Sequence, residues 1–527
     1  MTPPSSPTRL RGLRLVSLLA LMGLFACDED SSDDSSDGST DASIGRDARP
    51  IDASSDPDGG DREGDAGVDS AIVLGELKAF PTAHGYGAYS AGGRGGRVIE
   101  VSSYEELRDA LYAEGPRIVV FPRSGLFEST ASFLTVREPE LTILGQTAPA
   151  PGITLKGIGL TVSRSEVVLR GFAIRPGSSA DESGLDCVRV RTSDEHISNV
   201  IFDHLSVSWS DDENMSVGAA DGADGSLTVS DVTVQHCLSA EPTGSPYHFL
   251  VGRRVDGLSL VRNLYVHGPN RIPENTYGRG ERYEFSNNLI FDYNRATTVT
   301  TVSHVDVIGN GFKEGAVAPD RLFNVTFSVN SIENPGASLE DAEIFGTDNV
   351  QIGDGESTMY NERWLTHARA ERALDDSIYT PFPAAELEAR LLDDVGQGRG
   401  DAVDQRLLDD YRAGTGQRNI SDESQVGGFP AIPTNTHPEG HDANGNHVAD
   451  AFEAEHGITD VDDKPELFTI GELTFDNRAY AGGSYVGADG HTVNEYQGGT
   501  LAGGRLYTWR EIYWADLAGD FDPAKWP

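Results

Sequence analysis

Between residues 141 and 311 the chain carries short apolar strands at a regular pace and almost no helical periodicity. The strands fall at 141–144, 167–169, 200–202, 232–234, 258–260, 283–285 and 305–307, spaced by roughly 22 to 33 residues, the range of solenoid repeats. Several are followed within a few residues by a second short strand, as at 205–207 and 264–266. Gly, Asn, Asp and Ser fill the corners. A βαβ architecture needs a helical pattern between strands, and this stretch has none. Collagen triplets and the propeller-blade signature are absent as well. The pattern predicts an all-β parallel β-helix whose turns stack at about 4.8 Å. Asn263, Asn288 and Asn310 fall at matching places after successive strands, and are expected to hydrogen-bond from turn to turn.

The rest of the chain divides around this repeat. Residues 1–27 read as an export signal: Arg9, Arg11 and Arg14 precede an apolar run at 15–26. That run is shorter than the roughly 20 residues of a membrane span. It ends Leu24-Phe25-Ala26-Cys27, like a bacterial lipobox, so Cys27 is a candidate lipid anchor. Residues 28–75 are an Asp/Ser-rich linker too poor in apolar side chains to fold. The β-helix is expected at 76–340, opened by a short capping helix after Ser103. An extension with two helices follows at 341–435, and a C-terminal region at 436–527. Cys187 and Cys237 are too few for a disulfide framework and read as interior fillers.

The charge is −43, with 84 acids against 41 bases, which argues against a nucleic-acid partner. Asp211, Asp212 and Glu213 are consecutive just past a strand, with Asp186 and Asp203 on nearby turns. Clustered carboxylates repel one another and suit calcium, which takes six to eight oxygens. The alternative is a solvated acidic turn. Seven arginines between residues 251 and 296 locally reverse the sign of the chain. Guanidinium forks bind carboxylates in two-point fashion, so an acidic ligand is implied there, unless these arginines only pair with neighbouring glutamates. His204, His236 and His267 follow successive strands and read as a row of stacked imidazoles rather than a converging zinc site. Asp442, Asn444, Asn446, Asp450 and Glu453 match positions 1, 3, 5, 9 and 12 of a helix-flanked calcium loop, although His447 stands where Gly is usual.

Taken together, FPTAHGYGAYSAGGRGGRV, LTILGQTAPAPGITLKG, FDHLSVSWSDDENMSV, RNLYVHGPNRIPE, NNLIFDY and RGDAVDQRLLDDYRAGTG resemble the pectate lyases of polysaccharide lyase family 1, in its bacterial branch. The resemblance covers residues 80–517. It implies a right-handed coil, a secreted or surface-tethered enzyme acting as a monomer, and calcium-assisted β-elimination of polygalacturonate. It puts Arg271 in the place of the base that abstracts the C5 proton. Asp212, with Asp211 or Glu213 and helped by Asp186 or Asp203, takes the place of the calcium ligands. Arg279, Arg282 and His267 are the substrate-binding candidates. Three positions depart from the family pattern. No Lys follows the strand at 232–235, Ser216 stands where a second carboxylate is expected, and Glu274 replaces the second Arg of Arg-x-Pro-Arg. Two alternatives stay open, the second supported by the missing Lys and by Ser216. One is a glycoside hydrolase with Asp211 and Asp212 as acid and base. The other is a glycan-binding surface protein without catalysis.

Overall fold

The chain from Arg97 to Tyr360 winds through three parallel sheets, visiting each once per turn. The computed structural model describes residues 77–525, except 131–132, 179–183, 221, 245–246, 276, 278–279, 320–322, 329–335, 337, 375, 478–483, 487–491 and 495–505. Among the described residues the first sheet has ten strands, from Arg97–Glu100 to Glu343–Thr347. The second and third have nine each, opening at Gly125–Glu128 and Phe133–Val136. All pairings in these sheets are parallel, with like side chains in register: Val167, Val200, Val232 and Leu258 form one column. This is the right-handed parallel β-helix that the strand rhythm and the family resemblance together predict. The three sheets run on to Tyr360, past the boundary at 340 expected from the sequence, because short strands at 343–347, 350–352 and 358–360 still pair in register.

The strands bury both ends of their apolar pattern, and a single core fills the coil from Val101 to Trp364. Ser103 caps the helix Tyr104–Tyr112 by accepting from the Glu106 amide, and Leu107 and Leu111 close the end of that core. Arg117, fully buried, donates from its guanidinium to the carbonyls of Ala110 and Leu111 at the helix end. The predicted asparagine column is present and one member longer: Asn263 Nδ2 donates to Asn288 (3.1 Å), Asn288 to Asn310 (3.0 Å), and Asn310 to Asn349 (2.8 Å). Cys187 and Cys237 are buried free thiols.

The C-terminal segments cover two flanks. Helices Leu387–Leu391 and Ala402–Ala413 pack Leu387, Leu391, Leu407 and Tyr411 on Leu238, Leu264 and Leu289 of the second sheet. Helix Trp509–Leu517, started by a Thr508/Glu511 capping box, packs on Ile118, Val120 and Leu144 of the first sheet. A four-stranded antiparallel sheet between residues 467 and 494 has no counterpart in the sequence reading. No helix among the described residues is long and apolar enough to cross a membrane.

Candidate active site

The acidic triplet sits where the chain leaves the second sheet and enters the third. After Ser206–Ser208 the backbone turns at Trp209, in the left-handed region (φ 64°), with its indole buried and donating to Glu241 (3.0 Å). The Asp211 and Asp212 amides both donate to the Leu185 carbonyl one turn below (3.1 and 3.3 Å). This pins the triplet beside Asp186. Glu213 then opens the strand Glu213–Ala219, whose Met215 pairs with Val188, so Asp186 and Glu213 are neighbours across two turns. One turn up, Tyr247 pairs with Glu213; one more, the Phe249 amide takes the Arg271 carbonyl (2.8 Å). Four consecutive turns thus bring Asp186, Glu213, Tyr247 and, one residue beyond the Asn270 that pairs with Tyr247, Arg271 to the entry of the third sheet.

The side chains converge. One carboxylate oxygen from each of Asp186, Asp212 and Glu213 lies within 4.8 Å of the others. The Arg271 guanidinium bonds to Glu213 and lies 3.8 Å above the Tyr247 ring. Arg271 is 23% exposed and Glu213 5%, so the guanidinium opens to solvent while the acids line the floor. Burial pushes the Asp186 carboxyl up to about 6, with Asp212 adding like charge against the Ser216 hydroxyl and Arg189. Burial, Asp186 and Asp212 likewise push Glu213 up, and burial does the same to Asp212, in both cases against Arg271. The left-handed backbone at Arg271 (φ 56°) recurs at Trp209, Glu241 and His267, so it belongs to the corners of the coil and not to the chemistry.

Several predicted residues lie elsewhere. Asp203 is buried on the first sheet against Arg170 (2.8 Å) and Gln235 (2.7 Å), because the last residue of Val200–Asp203 faces the C-terminal cover. Asp211 turns to the Gly184 amide (2.7 Å), away from the three converging acids. His267 is buried on the second-sheet flank between Asp292 (2.8 Å) and Asp410 (3.6 Å), with no path to Arg271. Arg282 pairs with Asp256 and Asp376 on the first sheet (2.7 Å each). Arg279 lies outside the described residues. His204 and His236 do stack, with ring centroids 4.8 Å apart, while His267 stands apart from them.

The departures have local explanations. The Ser216 hydroxyl donates to Asp186 on the neighbouring turn. Glu274 pairs with Arg295 of the next turn (3.0 Å). The strand Val188–Thr192 adds two residues that the sequence reading passed over. Arg189 and Arg191 face outward, alternating with the buried Val188, Val190 and Thr192. That alternation is legible in VRVRT itself.

At the C-terminal loop, Asp442 accepts from the amides of Gly445 (2.8 Å), Asn446 (3.1 Å) and His447 (2.8 Å). Asn444 and Asn446 both donate to Glu453 (2.9 and 2.8 Å), and Asp450 accepts from the Ala443 amide (3.0 Å) and opens the helix Asp450–His456. His447 adopts φ 67°, the left-handed turn for which Gly is the usual residue.

Comparison with known proteins decides the family. The chain is 34% identical over 415 residues to "Probable pectate lyase C" of Aspergillus flavus, covering 75% of this chain and 91% of that relative. The protein belongs to the pectate lyases. It is a polysaccharide lyase by that membership. The Aspergillus oryzae protein of the same name is 33% identical over the same share of both chains. A pectate lyase from Bacillus sp. N165, solved in complex with trigalacturonate, is 16% identical, covering 59% of this chain and 98% of that one, with a TM-score of 0.43. No family model matches the chain.

Proposed function

We propose that this pectate lyase cleaves polygalacturonate by β-elimination, with calcium held by Asp186, Asp212 and Glu213 and with Arg271 as the base. The observation that carries the reading is the convergence of three carboxylates, two of them buried, with a guanidinium bonded to one. The donor set fits calcium: all three groups offer hard oxygens, and a cation offsets the burial and like charge that raise Asp186 and Glu213. Asp186, Asp212 and Glu213 would hold the ion, which would supply Lewis-acid stabilisation of the charge that develops on the substrate when the C5 proton leaves.

The chain's own residues then have distinct tasks. Tyr247 holds the plane of the Arg271 guanidinium, and Glu213 anchors one of its nitrogens. In its neutral guanidine form Arg271 would accept the C5 proton at a second nitrogen and so become the guanidinium. A free guanidinium is a poor base, so the transfer depends on an acidified C5 and on a bound cation that offsets the carboxylates beside Arg271. The C5–H electron pair forms the C4–C5 double bond as the C4–O bond breaks. The departing glycosidic oxygen takes its proton from solvent. The products are a chain with a new reducing end and one with an unsaturated uronate.

The 442–453 loop is proposed as a separate, structural calcium site, held by Asp442, Asn444, Asn446, Asp450 and Glu453. Export through residues 1–27, a lipid anchor at Cys27 and a tether at 28–75 complete the proposal; these lie outside the described residues. The test is incubation of the purified protein with polygalacturonate and calcium. Rising ultraviolet absorbance from unsaturated products, abolished by chelator, is expected. New reducing ends without absorbance would mean hydrolysis, and neither signal with retardation on a pectin gel would mean binding alone.

A further inference from the structure

A pocket of about 390 Å³ lies where the first strands of the first sheet meet the C-terminal segments. Three elements line it: Val120, Phe121 and Thr147 at the exits of Arg117–Val120 and Leu141–Leu144, the segment 436–449, and Tyr513 and Trp514 of helix Trp509–Leu517. No residue of the Arg271 site is among them. The three elements are tied together. Ser124 Oγ accepts from the Asn435 amide (2.8 Å) and donates to the Pro433 carbonyl (2.9 Å). The Arg510 guanidinium donates to the Asn446 carbonyl (3.2 Å), and His437 Nε2 to the Thr147 carbonyl (2.8 Å). The pocket is therefore preformed, and its volume falls within the roughly 300–1,000 Å³ of small-molecule sites.

Its lining has a consistent chemistry. The His437 and His441 rings stack with centroids 4.0 Å apart and planes 3° from parallel. Parallel rings aim their nitrogens along separate planes, so the pair does not converge on a metal ion. A carbonyl only accepts, so His437 Nε2 carries the hydrogen and Nδ1 is left as an acceptor, with no partner among the described residues. Trp514 is 4% exposed, and its indole N–H also has no partner among the described residues. A buried indole donor ordinarily has one. Apart from the imidazoles, the ionisable side chains of the lining are Glu100, Asp442 and Tyr513; no Arg or Lys is among the described residues there.

We propose that this pocket binds an uncharged sugar ring, a neutral-glycan site separate from the uronate chemistry. An unfilled donor and an unfilled acceptor suit a hydroxyl-bearing ligand, and the aromatic and imidazole rings suit the apolar face of a sugar. The carboxylates of Glu100 and Asp442, with no guanidinium or ammonium to offset them in the lining, disfavour a uronate. The site does not depend on the lyase reading. On a polysaccharide that carries both kinds of sugar, the two sites together hold the polymer more tightly than either alone.

The test is calorimetric titration of the whole protein with galactobiose and with digalacturonate, whose rings differ in carrying a hydroxymethyl or a carboxylate at C6. Wild type should bind galactobiose with a Kd of about 1 mM. Trp514→Phe keeps a ring and loses the N–H; His437→Phe keeps the stack and loses the acceptor. Each should weaken galactobiose binding about tenfold. Digalacturonate binding and the rate of polygalacturonate cleavage should match wild type in both. Absence of galactobiose binding by wild type would overturn the site, and so would unchanged binding in both variants. Equal losses for galactobiose and digalacturonate would overturn the preference for an uncharged ring. If Trp514→Phe does not fold, His437→Phe, at a half-buried position, decides alone.

Discussion

The flank covered by the C-terminal segments and the outer face of the third sheet both gather buried carboxylates, and they treat them in opposite ways. On the flank, Asp203 meets Arg170 and His204, each at 2.8 Å; Asp520 takes the other arms of Arg170; Asp394 lies between His204, His236 and Lys525. Burial works against the charge of Asp203 and Asp394, but the neighbouring histidines, and Arg170 for Asp203, outweigh it and hold both well below the usual carboxylate range. On the third sheet, burial pushes Asp186 and Glu213 upward and their neighbours push the same way. The residue types are alike. What differs is the number of cations supplied per acid.

The sharpest way to break that contrast is at Arg271. Arg271→Lys keeps a cation beside Glu213 but loses the planar fork over Tyr247. Release of unsaturated product should fall by about 10³- to 10⁴-fold, the scale of a lost general base, with the circular dichroism spectrum unchanged. Retention of most of the rate would remove Arg271 from the chemistry. On the flank, Arg170→Ala leaves Asp203 and Asp520 buried without their shared cation. Denaturant unfolding should report a loss of about 3–5 kcal/mol, the cost of breaking a buried pair from one side.

Asp186→Asn should do the reverse of Arg170→Ala. Removing one of three repelling charges should leave the metal-free protein as stable or about 1 kcal/mol more stable by urea unfolding. The calcium concentration that half-activates the enzyme should rise at least about tenfold, since one ligand loses its charge. A destabilised variant with normal calcium dependence would make Asp186 a structural acid like Asp203.

How much of this was legible in the residues varies with the range of the interaction. The coil follows from spacing alone, and the asparagine column from its register, because a solenoid repeats contacts at a fixed interval. Asp212, Glu213 and Arg271 stand out for the same reason: adjacent turns bring them together whatever the cover does. Asp203, His267 and Arg282 misled because their partners come from afar. Asp520, Asp410 and Asp376 arrive from C-terminal segments whose docking no local pattern announces. Tyr247 was hidden by its ordinariness; only its register opposite Glu213 gives it a task.

Two smaller tests sharpen the flank and the loop. Burial lowers the affinity of His204 for its proton, yet Asp203 and Asp394 outweigh this and raise it to about 9. Its contribution to stability is therefore complete below the unfolded value of about 6.5, and is lost as pH rises through about 9. Unfolding free energy should decline across that window by at most about 1.4 kcal/mol per pH unit, and His204→Gln should flatten the decline. An identical slope in the variant would mean that other groups set it. The smallest effect is expected at the C-terminal loop. Calcium should raise the melting temperature of Asp442→Ala by roughly 2 °C less than that of wild type, while both cleave polygalacturonate at the same rate. Equal shifts would exclude calcium from that loop.

The central claim is that the carboxylates of the third sheet hold a cation without which no double bond forms. Its most direct test is the rate of unsaturated-product release from polygalacturonate by exhaustively chelated wild-type protein, before and after calcium is returned. The account predicts no measurable rate before addition, full recovery afterwards, and a recovery curve shifted to higher calcium in Asp186→Asn. A chelated protein that cleaves at the full rate would contradict it.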